Sequence, residues 1–258
     1  MADGEKMALV VAHPGHELVV HRWMELHRPL YFCLTEGSGG AGSARIESTD
    51  RLLQRVGAAP GRIHGRFSDK EAYRLLLDGR ADVFLALLHE LAEHLAGADV
   101  TCVAGDAMEG FNPVHDVCRA LIDAAVGLIA TRRGRVLRNY EFSLHDGVTG
   151  EDSGDGALVV DLDPPALERK IAAAREYPEM RDEVEAALAR AGAAAFASEH
   201  LRPSSLQKKM SEFAVTPPRY EEYGEMRVGE GRYREVIRYR QHVLPVLSAL
   251  EAVARPGQ

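Results

Sequence analysis

Three histidines stand where their type and spacing could build a reactive centre. His13 and His16 lie three residues apart in His13-Pro14-Gly15-His16, directly after the apolar run Ala8–Ala12. His115 ends Asn112-Pro113-Val114-His115, which follows the apolar run Val100–Ala104 and the polar loop Asp106–Asn112. Three imidazoles around an ion with an open fourth position suit a catalytic zinc. Taken alone, either stretch reads as well as a pair of capping or surface histidines. The chemistry depends on the two loops meeting in space.

Ala8–Ala12 is uninterrupted in its apolar character, as suits a central parallel strand covered on both faces. Pro14 fixes its own φ and drives His13 towards an extended backbone, and Gly15 permits a tight turn. Further strands are expected at Pro29–Thr35, Ile63–Phe67, Val100–Ala104 and Val136–Leu144. Helices are expected at Glu17–His27, Arg45–Val56, Ala81–Leu95 and from Pro113 to about Ile129, with Gly57 closing the second. This alternation predicts a Rossmann-like α/β fold, mostly parallel, with helices on both faces. Ligands of such sheets gather at the carboxyl ends of the strands, where both histidine loops emerge.

Around residue 150 the chain changes character. Gly147–Gly156 is a polar, glycine-rich connection, followed by a short strand at Ala157–Asp163 that Pro164-Pro165 stops. Helical stretches follow at Ala166–Glu176, Glu179–Ala191, Ser205–Phe213 and Tyr233–Val253, the last interrupted at Pro245. The division expected is an α/β core over 1–150 and a strand with a C-terminal helical lobe over 151–258, packed together as one domain.

Two other motifs carry less. His89-Glu90 and His94 are five apart rather than four, which sets the two histidines about 140° apart around a helix and off any shared metal-binding face. The Gly37–Gly42 loop follows the second strand, not the first, so it does not match a dinucleotide fingerprint. It reads as the rim of a pocket. Composition narrows the rest: 258 residues, 46% hydrophobic and 27% charged, give a sizeable core, and a net charge of −8 argues against nucleic-acid or anionic-membrane binding. No apolar run approaches the roughly 20 residues of a membrane span, and the N-terminus lacks a signal-peptide pattern, so a cytoplasmic protein is expected. Cys33, Cys102 and Cys118 read as buried free thiols.

In these stretches the chain resembles the PIG-L/LmbE family, zinc-dependent de-N-acetylases of N-acetylglucosaminyl compounds. The family opens with a strand and A-H-P-D-D-E and takes a third ligand from a later H-P-D-H. Here the matching residues are Ala12-His13-Pro14-Gly15-His16-Glu17 and Asn112-Pro113-Val114-His115, and Thr35, Gly37, Gly40, Arg45 and Gly57 also fit the pattern between them. The match runs over about Met7–Leu128. It implies that His13, His16 and His115 hold the ion, with zinc first and iron or another divalent metal as the alternative. It also implies that Asn112 stands where the family stabilises the oxyanion, that Gly15 replaces the family's general base, and that Val114 replaces the Asp that orients a histidine.

The resemblance implies a metal-dependent hydrolase acting on the N-acyl bond of an acylated amino sugar or a related small metabolite. Three neutral ligands would leave the full charge on the ion and make a bound water more acidic. Asn112 can donate to a developing oxyanion. Glu17, Asp106, Glu109 and Asp116 are the carboxylates near enough in sequence to act as base or to support a ligand, with Glu109 and Asp106 ahead of Asp116. The alternative is a divergent metal-binding member with non-hydrolytic chemistry or a ligand-binding role. A protein that inherited the two loops without using a metal is the third reading. Tyr140, Arg45, Arg138, Tyr220 and Tyr223 are candidates for the pocket wall. Oligomeric state is not legible.

Overall fold

The computed structural model describes residues 5–39, 42–144 and 156–255. Seven strands form one sheet: β1 Lys6–Val11, β2 Leu30–Thr35, β3 Ala59–Phe67, β4 Val100–Asp106, β5 Arg138–Phe142, β6 Leu158–Asp161 and β7 Ser198–Pro203. Their order across the sheet is β3-β2-β1-β4-β5-β7-β6. The first five pair in parallel, while β7 runs antiparallel to both β5 and β6. The expected mostly parallel α/β fold is present, and the second half of the chain adds strands to the sheet as well as helices.

Burial explains the order. β1 and β4 are the central strands, and Ala8–Val11 and Cys102–Ala104 are almost wholly excluded from solvent. Side chains alternate between two apolar layers. Ala8, Val10 and Val103 face one with Leu88, Leu91, Leu121 and Leu250, and Leu9, Val11 and Ala104 face the other with Trp23, Leu53 and Tyr177. The first layer is covered by α3 Asp69–Leu77, α4 Ala81–Gly97, α5 Pro113–Arg133 and α10 Leu244–Ala254. The second is covered by α1 His21–His27, α2 Ile46–Val56 and α6 Pro164–Arg175. Three more helices, α7 Arg181–Ala191, α8 Leu206–Val215 and α9 Arg219–Gly229, complete the chain.

Several expectations shift. Glu17–His27 is not one helix: a 3-10 turn occupies His16–Val20 before α1 begins. The third strand starts four residues earlier than expected, at Ala59 rather than Ile63. α3, β7 and α9 were not expected. The last helix starts only at Leu244, after a π turn over Tyr239–Val243, because Pro245 fits the first turn of a helix but not its middle. The glycine-rich connection Gly147–Gly156 lies outside the described residues except for Gly156. Cys33, Cys102 and Cys118 are buried free thiols. Among the described residues no helix is long and apolar enough to cross a membrane.

The order reverses direction at β1/β4, since the chain moves outward one way through β2 and β3 and then returns to the other side of β1 for β4. A crevice opens at such a switch point, outside the carboxyl ends of the two strands. The residues after Val11 and after Asp106 are the ones that line it.

Candidate metal centre

The two loops do meet. Ring centroids are 5.3 Å apart for His13 and His16, 4.9 Å for His13 and His115, and 4.5 Å for His16 and His115. Imidazoles sharing one tetrahedral ion at N–metal lengths of about 2.0–2.1 Å would have centroids about 5 Å apart. His13 and His115 are buried, and His16 is half-buried. As the rings stand, no group of three His, Cys, Asp or Glu side chains among the described residues is set to hold an ion. A modest rotation about the broad χ2 well of histidine re-aims its nitrogens while leaving the ring nearly in place, so the ring spacing is the feature that matches a shared ion.

The local backbone explains the convergence. Gly15 adopts φ 101° in the left-handed region, which turns the chain sharply from β1 into the 3-10 turn. The backbone at Gly15 strains any side chain, and a Cβ there would lie 2.3 Å from Met180 Sδ, so the Met180 side chain would have to move as well. On the other loop, Asn112 is the N-cap of α5. Its Oδ1 accepts from Val114 N at 2.9 Å, with Pro113 at the first helical position, which places His115 in the first turn. That cap fixes the amide's orientation, and Asn112 Nδ2 then donates towards His13 Nε2 at 3.4 Å.

Behind two of the rings sit carboxylates. His13 Nδ1 donates to Asp69 Oδ1 at 2.9 Å, and Thr35 Oγ1 lies 2.6 Å from the same nitrogen. His16 Nδ1 donates to Asp106 Oδ2 at 2.9 Å. A carboxylate can only accept here, so each ring carries its proton on Nδ1 and is left with Nε2 as its free acceptor. This is the arrangement by which outer carboxylates orient metal-ligating histidines. Burial lowers the pKa of His13 despite the opposing hydrogen bond from Asp69, which keeps the ring neutral and able to ligate. Burial would raise Asp69, but hydrogen bonds from His13, Thr35 and Gly39 outweigh it and hold the carboxyl far below its usual range.

The donor set fits a divalent cation on charge as well. Asp69 and Asp106 are 6% and 0% exposed, and each has a histidine, not a lysine or arginine, as its ion-pair partner among the described residues. Asp106 Oδ1 is buried without a partner. Two buried negative charges behind neutral rings are costly unless a positive charge lies close by.

The other sequence candidates fall in different places. Glu17 is fully buried behind the turn. Its Oε2 accepts from Gly15 N at 2.9 Å and Tyr31 OH at 3.0 Å, and its Oε1 accepts from Thr49 Oγ1 at 3.0 Å and Tyr177 OH at 2.5 Å. Asp106 also accepts from Ala12 N at 2.7 Å, which ties β4 to the end of β1. Glu109 is half-buried and bonded to Ser143 Oγ and Leu144 N. Asp116 is buried, with Oδ1 accepting from Glu109 N and Gly110 N, and burial pushes its pKa up to about 8.

Among the wall candidates, Arg45 stands beside Gly37 and Gly39, and its guanidinium makes no ion pair among the described residues. Tyr220 is buried, with its N–H on Gly110 O, so α9 docks on the histidine loop. Tyr223 is exposed and holds Arg227. Tyr140 is half-buried on β5. Arg138, at the amino end of β5, pairs with Glu5 at the far end of the sheet from the crevice. His94 packs edge-on against Phe32, well apart from the three-histidine cluster.

Sequence reasoning missed Asp69. Ser68-Asp69-Lys70-Glu71 carries the mark of a helix start, since Ser68 Oγ accepts from Glu71 N, but nothing local ties Asp69 to His13. The glycine loop lies beside the first histidine turn: Gly39 N donates to Asp69 Oδ2, and Gly37 packs against Pro14.

No family model and no curated protein matches the chain. Solved structures do. The zinc-inhibited form of teicoplanin deacetylase Orf2 superposes with a TM-score of 0.54 at 15% identity, over 78% of this chain and 99% of that one. Dbv21, a deacetylase of the antimicrobial A40926 pseudoaglycone, gives 0.53 at 18% identity, over 78% and 97%. A teicoplanin-pathway deacetylase in complex with bog gives 0.53 at 16% identity, over 78% and 99%. At these identities the likeness is one of architecture: the chain is built on the α/β fold that these deacetylases share.

Proposed function

We propose that this protein is a metal-dependent hydrolase of the PIG-L/LmbE type that removes an N-acyl group from an acylated amino sugar or a related small molecule. The observation that carries the reading is the convergence of His13, His16 and His115, with Asp69 and Asp106 on the outer nitrogens of two of them. The fold shared with deacetylases supports the reaction class. A divalent ion, zinc first, would supply an acidified water and polarise the acyl oxygen.

The chain's own residues do the rest. Asp69 and Asp106 hold their imidazoles in the tautomer that presents Nε2. Asn112, its oxygen committed to the cap of α5, offers Nδ2–H to negative charge developing on the acyl oxygen. Asp106 is spent on Ala12 and His16, and Glu17 on four donors. Glu109, half-buried on the histidine loop and itself held by Ser143 Oγ and Leu144 N, is the most solvent-accessible of these carboxylates and the one we assign as proton acceptor. Arg45 places an unpaired cation at the rim for the polar part of the substrate.

One observation favours the second reading, a metal-binding protein without amide hydrolysis: position 15 carries no side chain, its φ of 101° strains one, and the Met180 thioether lies against it. One experiment separates the two. Metal content is measured for the wild type and His16→Ala, and amine release is assayed on a panel of N-acetylglucosaminides. About one ion per chain, lost in the variant, together with amine release, supports the hydrolase. Metal without amine release supports the second reading. No metal after addition of zinc refutes both.

A further inference from the structure

The turn that carries His13 and His16 is gripped from behind by a segment more than one hundred and fifty residues away in sequence. Tyr177–Met180 links α6 to α7. At one end Tyr177, 1% exposed, donates its OH to Glu17 Oε1, and Glu17 Oε2 accepts the N–H of Gly15 at 2.9 Å. At the other end Met180 Sδ lies against the open face of Gly15, where a Cβ would be 2.3 Å away. Between them Glu179 accepts from Ser48 Oγ of α2 at 3.0 Å, so the segment is itself anchored to the helix beneath it.

Gly15 is the soft joint of the turn. Pro14 has a fixed φ and restricts His13, and His13 is pinned by Asp69 and Thr35. His16 is pinned by Asp106 on another strand. Between these two anchored rings the backbone runs through Gly15, the residue with the widest conformational freedom, whose conformation sets how well both anchors can be met at once. Tyr177 restrains that backbone through the Glu17 carboxylate, and Met180 restrains it by contact.

We propose that Tyr177 and Met180 clamp Gly15 and so set the separation of His13 and His16 that a divalent ion requires. Tyr177 is a positioning residue that acts through Glu17. The helical lobe thereby becomes part of the metal site, although it contributes no ligand. The inference rests on the three-histidine reading.

The test titrates zinc and cobalt into the full-length chain, comparing wild type with Tyr177→Phe, Met180→Ala and Leu250→Ala. Leu250 is buried in the opposite apolar layer, so its variant loses stability without touching the clamp. Loss of a group hydrogen-bonded directly to a metal ligand weakens binding about 10–100-fold, and the clamp acts one step further out. Tyr177→Phe and Met180→Ala are expected to weaken binding by up to about tenfold and to change the cobalt absorption spectrum, with Leu250→Ala unchanged in both. In the metal-free protein, the Gly15 amide is expected to exchange faster in both clamp variants. Wild-type affinity and spectrum in both clamp variants would overturn the clamp while leaving the three-histidine site standing. Equal weakening in all three variants would also overturn it, as general loosening. Absence of metal binding by the wild type would remove the three-histidine reading and the clamp with it. If Tyr177→Phe does not fold, Met180→Ala decides.

Discussion

Glu17 is a carboxylate one residue from a proposed ligand, and its surroundings predict a structural role that substitution can measure. Glu17→Ala would strand the donors that now end on it. Thr49 Oγ1 and Tyr177 OH are 3.3 Å apart and can bond each other. Gly15 N–H and Tyr31 OH would be left buried and unpaired, at about 1–3 kcal/mol each. With the void left by the side chain, the expected loss is about 4 kcal/mol, a large part of the roughly 5–15 kcal/mol that holds a domain together. Glu17→Gln keeps the shape. Its oxygen must face Gly15 N–H, which can only donate, and its NH2 then faces two hydroxyls that can turn to accept. Losing the charge-assisted bonds costs about 1–2 kcal/mol. Urea unfolding of the metal-free variants measures both. The reasoning is refuted if Glu17→Ala unfolds within about 1 kcal/mol of wild type, and amine release abolished in a fully stable Glu17→Gln would instead place Glu17 in the chemistry.

Two further outcomes follow from buried charge away from the centre. Lys170 Nζ donates to Glu199 Oε1 at 2.9 Å and to Val19 O at 2.7 Å, while Glu199 also accepts from Arg22 N and Trp23 N at the start of α1. Lys170→Met strands a buried carboxylate, and urea unfolding should register a loss of about 3–5 kcal/mol; a loss below about 1 kcal/mol would mean the pair does not hold the lobe to the core. His21, 3% exposed with Nδ1 unpartnered, has its pKa pulled down by burial from its ordinary value near 6.5 to about 4. The folded chain therefore keeps it neutral where the unfolded chain binds a proton. Its contribution is complete above about pH 6.5 and is lost as pH falls towards 4, on the order of 3 kcal/mol in all. Urea midpoints across that range should fall less steeply in His21→Leu, and an unaltered slope would exclude His21 as the source.

Most of the parallel sheet was legible because its strands are fully buried. Leu9-Val10-Val11 and Cys102-Val103-Ala104 need no alternation to be recognised, and each ends on residues of a different kind, which marks the strand's carboxyl end and with it the crevice. The second half was less legible for the same reason in reverse. β7, Ser-Glu-His-Leu-Arg-Pro, is half polar because Glu199 caps α1 and Arg202 pairs with Glu141, so its side chains answer to partners far along the chain and not to a strand's own pattern. The histidines and Asn112 could be named from local motifs, since a turn and an N-cap are built from neighbours.

What surrounds the histidines could not be read in that way. Asp69 is 56 residues from His13, Asp106 is 90 from His16, and Tyr177 is 160 from Glu17. Local sequence gives Asp69 as a helix start and Tyr177 as one more aromatic, and it gives Asp106 as a loop carboxylate able to support a ligand without saying which one. Each acquires its role only when the sheet brings separate crossovers to one edge. Gly15 on the first loop, where the sequence departs most from the family it resembles, is also the residue whose surroundings depend most on distant chain. In the folded protein it admits the thioether of Met180, so position 15 and the lobe that covers it form one arrangement. A carboxylate at position 15 would have to push Met180 aside and take a backbone conformation in the left-handed region. Under the proposed hydrolase reading the proton acceptor is therefore sought away from position 15, with Glu109 first.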